Sequence, residues 1–184
     1  RQLLKMQAKN PQFHNLLGMA LGQTGDAAGA RKAFEQALAL DAKFQQAKLN
    51  LARVDIGTRS YDAASARLND MLKDEPGSSE AMYELALIAE RKGQQPEAQR
   101  WMEKARDAGA SGDPRWDLAL MEFHLRNDRP GPALDAAKSA SARKPDDLRV
   151  LLAYSRAQLA NSDTIAAKSA LNTATRVAEY DAPL

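Results

Sequence analysis

Cysteine is absent from the 184-residue sequence, which excludes disulfides, thiolate nucleophiles and thiolate metal sites. The absence leaves the compartment open, since a helical protein in an oxidising compartment needs no disulfide. Aromatic residues make up only 5% of the chain, too few for a core built on large rings. No apolar run approaches the roughly 18 residues of a membrane span, and no signal peptide opens the sequence. An excess of one charge is lacking too. Twenty-six Lys and Arg face 24 Asp and Glu, a balance that argues against nucleic acid or an anionic membrane as partner.

What the chain has in quantity is alanine, the residue of best helix propensity and the one that lets helices approach closely. Hydrophobic residues reach 44%, enough for a sizeable core. The apolar residues also recur at a fixed period, which is the signature to test first. A small or medium residue in one helix returns as Gly18, Ala52, Ala86, Met121 and Ser155, at steps of 34 or 35 residues. The residue before it is Leu17, Leu51, Leu85 and Leu120. A second helix carries Ala30, Ala64, Ala98, Ala133 and Ala167, followed four residues on by Phe34, Leu68, Met102, Ala137 and Leu171. Ala37, Met71, Ala105, Ala140 and Ala174 close the pattern.

Two helices and two short turns fill such a period, and neither helix buries its apolar stripe alone. The pattern therefore predicts an all-α chain, a right-handed superhelical solenoid of about five antiparallel helix pairs. The repeats fall at 11–44, 45–78, 79–113, 114–147 and 148–181. Residues 1–10 read as the end of a preceding second helix, so the chain is expected to be an internal fragment, and 182–184 form a tail. Turn chemistry agrees. Gly25 and Lys92-Gly93 stand where first helices must end, and Pro76 and Pro145 where second helices must stop. Ser60 and Ser162-Asp163 are placed to cap second helices, and Asp113-Pro114 to open a first helix.

Leu17-Gly18, Gly25, Ala30, Phe34 and Ala37 resemble the tetratricopeptide repeat, with Ala42 where that family usually has proline and Arg59, Asp128 and Ser162 at its turn glycine. The resemblance covers nearly the whole chain and implies a non-catalytic scaffold that binds protein segments. A narrower similarity, in residues 15–41 and 49–78, is to bacterial tetratricopeptide lipoproteins of the exosortase (PEP-CTERM) and exopolysaccharide system. It implies a cell-envelope assembly, periplasmic or outer-membrane-associated, with a lipid anchor elsewhere in the full-length chain. Without it a cytoplasmic location stands equally open. In some family members a lysine–asparagine–arginine clamp holds a partner's C-terminal carboxylate. Only Asn50 matches that clamp here, so chaperone-tail binding is not expected.

Chemistry is hard to find. His14 and His124 are far apart in helices, and the carboxylates Asp70, Asp74 and Glu75 alternate with lysine as on a solvated face. Gly22 to Gly25 lacks the strand and lysine of a phosphate loop. Trp101 and Trp116 are either binding anchors or wedges between helices. No nucleophile–base pair or metal spacing emerges, so neither an enzyme nor a cofactor is expected. The surface left to carry function is the exposed face of the first helices. By spacing it comprises Asn15 and Met19, then Leu49, Arg53 and Ile56, then Tyr83, Leu87 and Arg91. Leu118, Glu122 and Arg126 follow, then Leu152 and Arg156. Apolar groups beside arginine suit a groove for a protein or peptide segment with acidic groups. Two alternatives stay open: the leucines merely pack first helix on first helix, or the fragment is a spacer in a longer repeat protein.

Overall fold

The computed structural model describes residues 9–110 and 112–180. Of the helix end expected over residues 1–10, residues 1–8 lie outside the described residues, as do Ser111 and 181–184, while Lys9 lies in a turn and Asn10 caps the helix that follows. Among the described residues ten helices follow in order: α1 Pro11–Gln23, α2 Ala27–Leu40, α3 Gln45–Gly57, α4 Tyr61–Asp74 and α5 Ser79–Arg91. Then come α6 Gln95–Ala108, α7 Arg115–Arg126, α8 Pro130–Arg143, α9 Leu148–Ala160 and α10 Thr164–Tyr180. No strand occurs among the described residues, and no helix there is long and apolar enough to cross a membrane. The fold is an all-α solenoid of helix pairs.

Cα packing divides the chain into two compact units, Arg1–Ala98 and Gln99–Leu184, with the division inside α6. In the first unit α1 packs on α2, α2 on α3, α3 on α4 and α4 on α5, while α1 also touches α3 and α3 touches α5. The second unit repeats the scheme, with α7 on α8, α8 on α9, α9 on α10, and α7 touching α9. First helices therefore contact both their own second helix and the next first helix, as a periodic pattern of buried faces requires.

Small residues make this packing close. Ala30, Ala64, Ala98 and Ala133 are fully buried, and Ala167 nearly so. In the first pair the small position is glycine for a steric reason. A Cβ on Gly18 would lie 2.6 Å from Cε1 of Phe34. The fourth pair inverts the sizes, with Met121 and Ala137 both buried at the same two positions.

Helix ends follow local hydrogen bonding. Asn10, Asp26, Ser78 and Asp147 cap α1, α2, α5 and α9 by accepting backbone N–H groups of the first turn. Asp113 accepts the Arg115 N–H at 3.0 Å, and α7 begins after Pro114. One expected cap differs and another is narrowed to a single residue. Ser60 precedes α4 but makes no capping bond, its hydroxyl lying 3.4 Å from that of Thr58. Asp163 rather than Ser162 caps α10, accepting the Ala166 N–H at 2.9 Å. Ser162 instead takes a left-handed turn conformation with φ of 63°. Gly25, Arg59, Gly93 and Asp128 do the same between their helices, at φ of 84°, 61°, 74° and 52°. Five first-to-second turns share one backbone solution, and only two use glycine.

Candidate functional site

The first unit carries a hollow of about 490 Å³ on its first-helix face, between α1 and α3. It exists because side chains are missing there. Gly18 and Gly22 on α1 and Gly57 on α3 line it. A Cβ on Gly22 would meet nothing nearer than Ala30 Cβ at 3.9 Å, and one on Gly57 nothing within 4 Å. Phe34 and Val54 give it apolar walls, while Met19 and Arg53 stand at its exposed margin.

The polar groups around the hollow are tied to one another. Asn50 Nδ2 donates to Asn15 Oδ1 at 3.0 Å, and Asn15 Nδ2 reaches Met19 Sδ at 3.8 Å. Arg53 Nε donates to Glu84 Oε1 at 2.6 Å, with Glu84 buried and Arg53 about half exposed, at 48%. The pair joins successive first helices and holds the arginine beside the hollow. Arg91 Nη1 donates to the Ile56 carbonyl at 3.3 Å.

The expected face is therefore only partly available. Met19, Arg53 and Arg91 are exposed, and Tyr83 and Leu87 are half-buried. Asn15, Leu49 and Ile56 are buried. These three are corrected from surface to interior: none is more than 7% exposed, Asn15 pairs with Asn50 of the next first helix, and the Ile56 carbonyl accepts Arg91 of the one after. Gly22 and Gly57 as makers of a hollow were missed, although an unexplained glycine on an exposed helical face is itself a signal of room.

In the second unit the expected face keeps Leu118 and Glu122 half-buried and Arg126, Leu152 and Arg156 exposed. Arg156 Nη1 donates to Glu122 Oε1 at 2.5 Å, joining α9 to α7 much as Arg53 joins α3 to α5. At the start of α9, the Arg149 side chain and then the first-turn N–H groups hold Asp147 below the usual carboxylate range. Trp116 is buried on α7, against a glycine whose Cβ would collide with its ring, Gly109. It is a wedge rather than an anchor. Trp101 is half-buried, with Lys104 Nζ 4.4 Å from its ring centroid.

A second hollow of about 280 Å³ lies between α6 and α8, with His124 of α7 in its wall. His124 is buried and its Nδ1 has no hydrogen-bond partner among the described residues. Burial pushes its pKa below the usual histidine value, Arg129 adds to the effect, and Glu103 opposes it. Buried carboxylates elsewhere are neutralised structurally. Asp55 of α3 meets Arg31 Nη2 at 2.6 Å and Arg67 Nε at 3.3 Å, and Asp117 meets Arg143 Nε at 2.7 Å. Among the described residues no three metal-ligating side chains are gathered.

Two family models describing the tetratricopeptide repeat match the chain, one over residues 1–43 and the other over 23–77. The fold is that of the tetratricopeptide repeat. Solved structures agree along most of the length. The chain is similar to MamA of Desulfovibrio magneticus, with 13% identity, 94% of this chain and 97% of that one covered, and a TM-score of 0.68. It is similar to TTC0263, a thermophilic tetratricopeptide repeat protein of Thermus thermophilus, with 19% identity, 93% of each chain covered and a TM-score of 0.66. It is also similar to pilF of Pseudomonas aeruginosa, with 15% identity, 91% of this chain and 76% of that one covered, and a TM-score of 0.70. No curated protein matches the sequence. Identities this low carry the tetratricopeptide fold and no partner.

Proposed function

We propose that the chain is a non-catalytic protein–protein interaction scaffold that seats partner segments on its first-helix face. The observation that supports this best is the glycine-made hollow of about 490 Å³ between α1 and α3. An apolar side chain entering it would contact Phe34, Val54 and Met19. An acidic group beside that side chain would reach Arg53, whose guanidinium carries four N–H donors besides the one given to Glu84. The partners are protein or peptide segments, not nucleic acid, and no cofactor takes part. Tyr83, Leu87 and Arg91 extend the face beyond the hollow. Leu118, Glu122, Arg126, Leu152 and Arg156 offer a comparable face in the second unit. The finer setting we propose is a bacterial envelope assembly of the exopolysaccharide–exosortase kind, on the likeness of residues 15–41 and 49–78 to PEP-CTERM lipoproteins.

A spacer role without any ligand is the second reading. It is favoured by the internal pairing of Asn15 with Asn50, Arg53 with Glu84 and Glu122 with Arg156. Selecting displayed peptides on the immobilised chain separates the two. The scaffold reading expects peptides pairing an apolar residue with an acid, and loss of their capture on Gly22→Leu with Gly57→Leu. Those substitutions fill the hollow while favouring helix. Capture unchanged by filling would remove the hollow from the site, and selection of no peptide above background would favour the spacer.

A further inference from the structure

In the second helix pair a buried carboxylate is held by guanidinium groups from the second helices on either side. Asp55 meets Arg31 Nη2 at 2.6 Å and Arg67 Nε at 3.3 Å. Two repeats on, the same three positions read His124, Gln99 and Ala136. The methyl group of Ala136 cannot fill the place that the Arg67 side chain takes. The hollow of about 280 Å³ opens there, with His124 and Ala136 in its wall. All its lining residues belong to the second unit. His124 is 4% exposed, and its Nδ1 has no hydrogen-bond partner among the described residues. A buried polar group left in that state needs an explanation, and an absent ligand is one.

The charges around the hollow say what would fit. Arg106 Nη2 pairs with Asp107 at 2.8 Å, and Asp135 pairs with Lys138 Nζ at 3.5 Å. Among the charged lining residues that leaves Arg129 and Glu103, joined through the amide of Gln99. Arg129 Nη1 donates to Gln99 Oε1 at 2.5 Å, and Gln99 Nε2 donates to Glu103 Oε1 at 2.9 Å. One cation and one anion therefore stand a single amide group apart. The guanidinium has four further N–H donors and the carboxylate a second oxygen. Burial keeps the His124 pKa below the usual histidine value, so at neutral pH the imidazole adds no net charge. Leu120, Pro132 and Ala136 supply apolar wall.

We propose that this hollow is a binding site for a small zwitterion, an α-amino acid with a short apolar side chain. Its carboxylate takes remaining N–H groups of Arg129, and its ammonium group takes Glu103. Its side chain lies against Leu120, Pro132 and Ala136. An α-amino acid holds its two charges about as far apart as the oxygen and nitrogen of an amide, the span that Gln99 already bridges. A simple anion would meet Glu103 as a like charge, and a simple cation would meet Arg129. Apolar walls with a few placed polar groups are the usual make-up of a small-molecule site. The inference is independent of the hollow between α1 and α3.

The chain contains only two histidines, His14 and His124, so imidazole NMR signals report on the hollow directly, with the His124→Gln spectrum assigning them. L-Alanine, L-valine and L-leucine are titrated beside 3-methylbutanoate and 2-methylpropylamine, which are valine without its ammonium group and without its carboxylate. At least one amino acid should move the His124 signal saturably and leave that of His14 in place. Both half-molecules should bind at least about tenfold more weakly. Arg129→Gln and Glu103→Gln should each weaken amino-acid binding by a similar factor, with unchanged helical circular dichroism. Equal binding of 3-methylbutanoate would make this a site for simple anions, and equal binding of 2-methylpropylamine a site for cations; either overturns the assignment. Undiminished binding in both variants would overturn it as well. A His124 signal that none of the three amino acids moves would remove the site altogether.

Discussion

The ring of Phe34 fills the place a Cβ on Gly18 would need, its Cε1, Cδ1 and Cζ standing 2.6 to 2.9 Å from that point. Glycine at one position and phenylalanine at the other are thus one decision about volume. Gly18→Ala alone should destabilise the protein by about 1–3 kcal/mol, the range for overpacking a full core, despite alanine's better helix propensity. Adding Phe34→Leu, which reproduces the Ala52 and Leu68 pairing of the next repeat, should restore most of the loss. Urea denaturation of the two singles and the double reads this directly; additive losses would show that the positions are not coupled.

Three turns hold side chains in a conformation that L-residues adopt at an energetic penalty. Arg59, Asp128 and Ser162 lie at φ of 61°, 52° and 63°, where the equivalent turns have Gly25 and Gly93. Left-handed backbone costs a residue with a Cβ roughly 1–2 kcal/mol, offset in part by the greater unfolded-state freedom of glycine. Arg59→Gly is therefore expected to raise stability by about 0.5–1 kcal/mol, with Gly25→Ala lowering it by a similar amount. Asp128→Gly should gain less, because aspartate tolerates this region better than most residues. Thermal melts of Arg59→Gly, Asp128→Gly and Gly25→Ala give the order.

The helix pairs were legible in the sequence because close packing forbids large residues at Ala30, Ala64 and Ala98 whatever lies around them. Gly25 and Gly93 fall between the helices of their pairs, and Pro76 and Pro145 fall just after α4 and α8, since each turn solves the same backbone problem. The site was less legible. A first helix has three environments around its girth: its own second helix, the next first helix, and solvent. Spacing separates buried from exposed only where one boundary matters. Leu49 and Ile56 therefore read as surface although α5 and α1 flank α3. Arg53 reads as a groove arginine, and its tie to Glu84 is not visible in helical spacing because that partner lies 31 residues away.

Asp55 is the buried charge that spacing should have flagged, since it sits three residues beyond Ala52 on the packed stripe, at the place Ala89 takes in the next pair. Its side chain is 1% exposed between Arg31 and Arg67, so removing it leaves both arginines uncompensated. Asp55→Ala should cost about 3–5 kcal/mol. Replacing all three, Asp55→Ala with Arg31→Leu and Arg67→Leu, should recover most of that. An apolar junction removes the desolvation penalty together with the pair. Chemical denaturation across the cycle distinguishes a pair that stabilises from one that only specifies which helices meet.

His124 should make stability fall on mild acidification. Its folded pKa lies below the usual histidine value, first through burial, then through Arg129, with Glu103 in opposition. Between its depressed folded pKa and about 6.5 the unfolded chain takes up a proton that the folded chain refuses. The unfolded state therefore binds more protons, and stability decreases as pH drops through that window, by up to about 1.4 kcal/mol per unit. Carboxylates held low, such as Asp147 and Asp74, act in a different range. Their contribution is complete above about pH 4 and is lost only as pH falls through their depressed values. His124→Gln, which copies the residue at the matching position of the last pair, Gln158, should flatten the stability profile between pH 7 and 5. It should leave the steeper acid loss below pH 4 in place. Urea midpoints at half-unit steps check it; a variant keeping the full slope above pH 5 would assign that slope to another group.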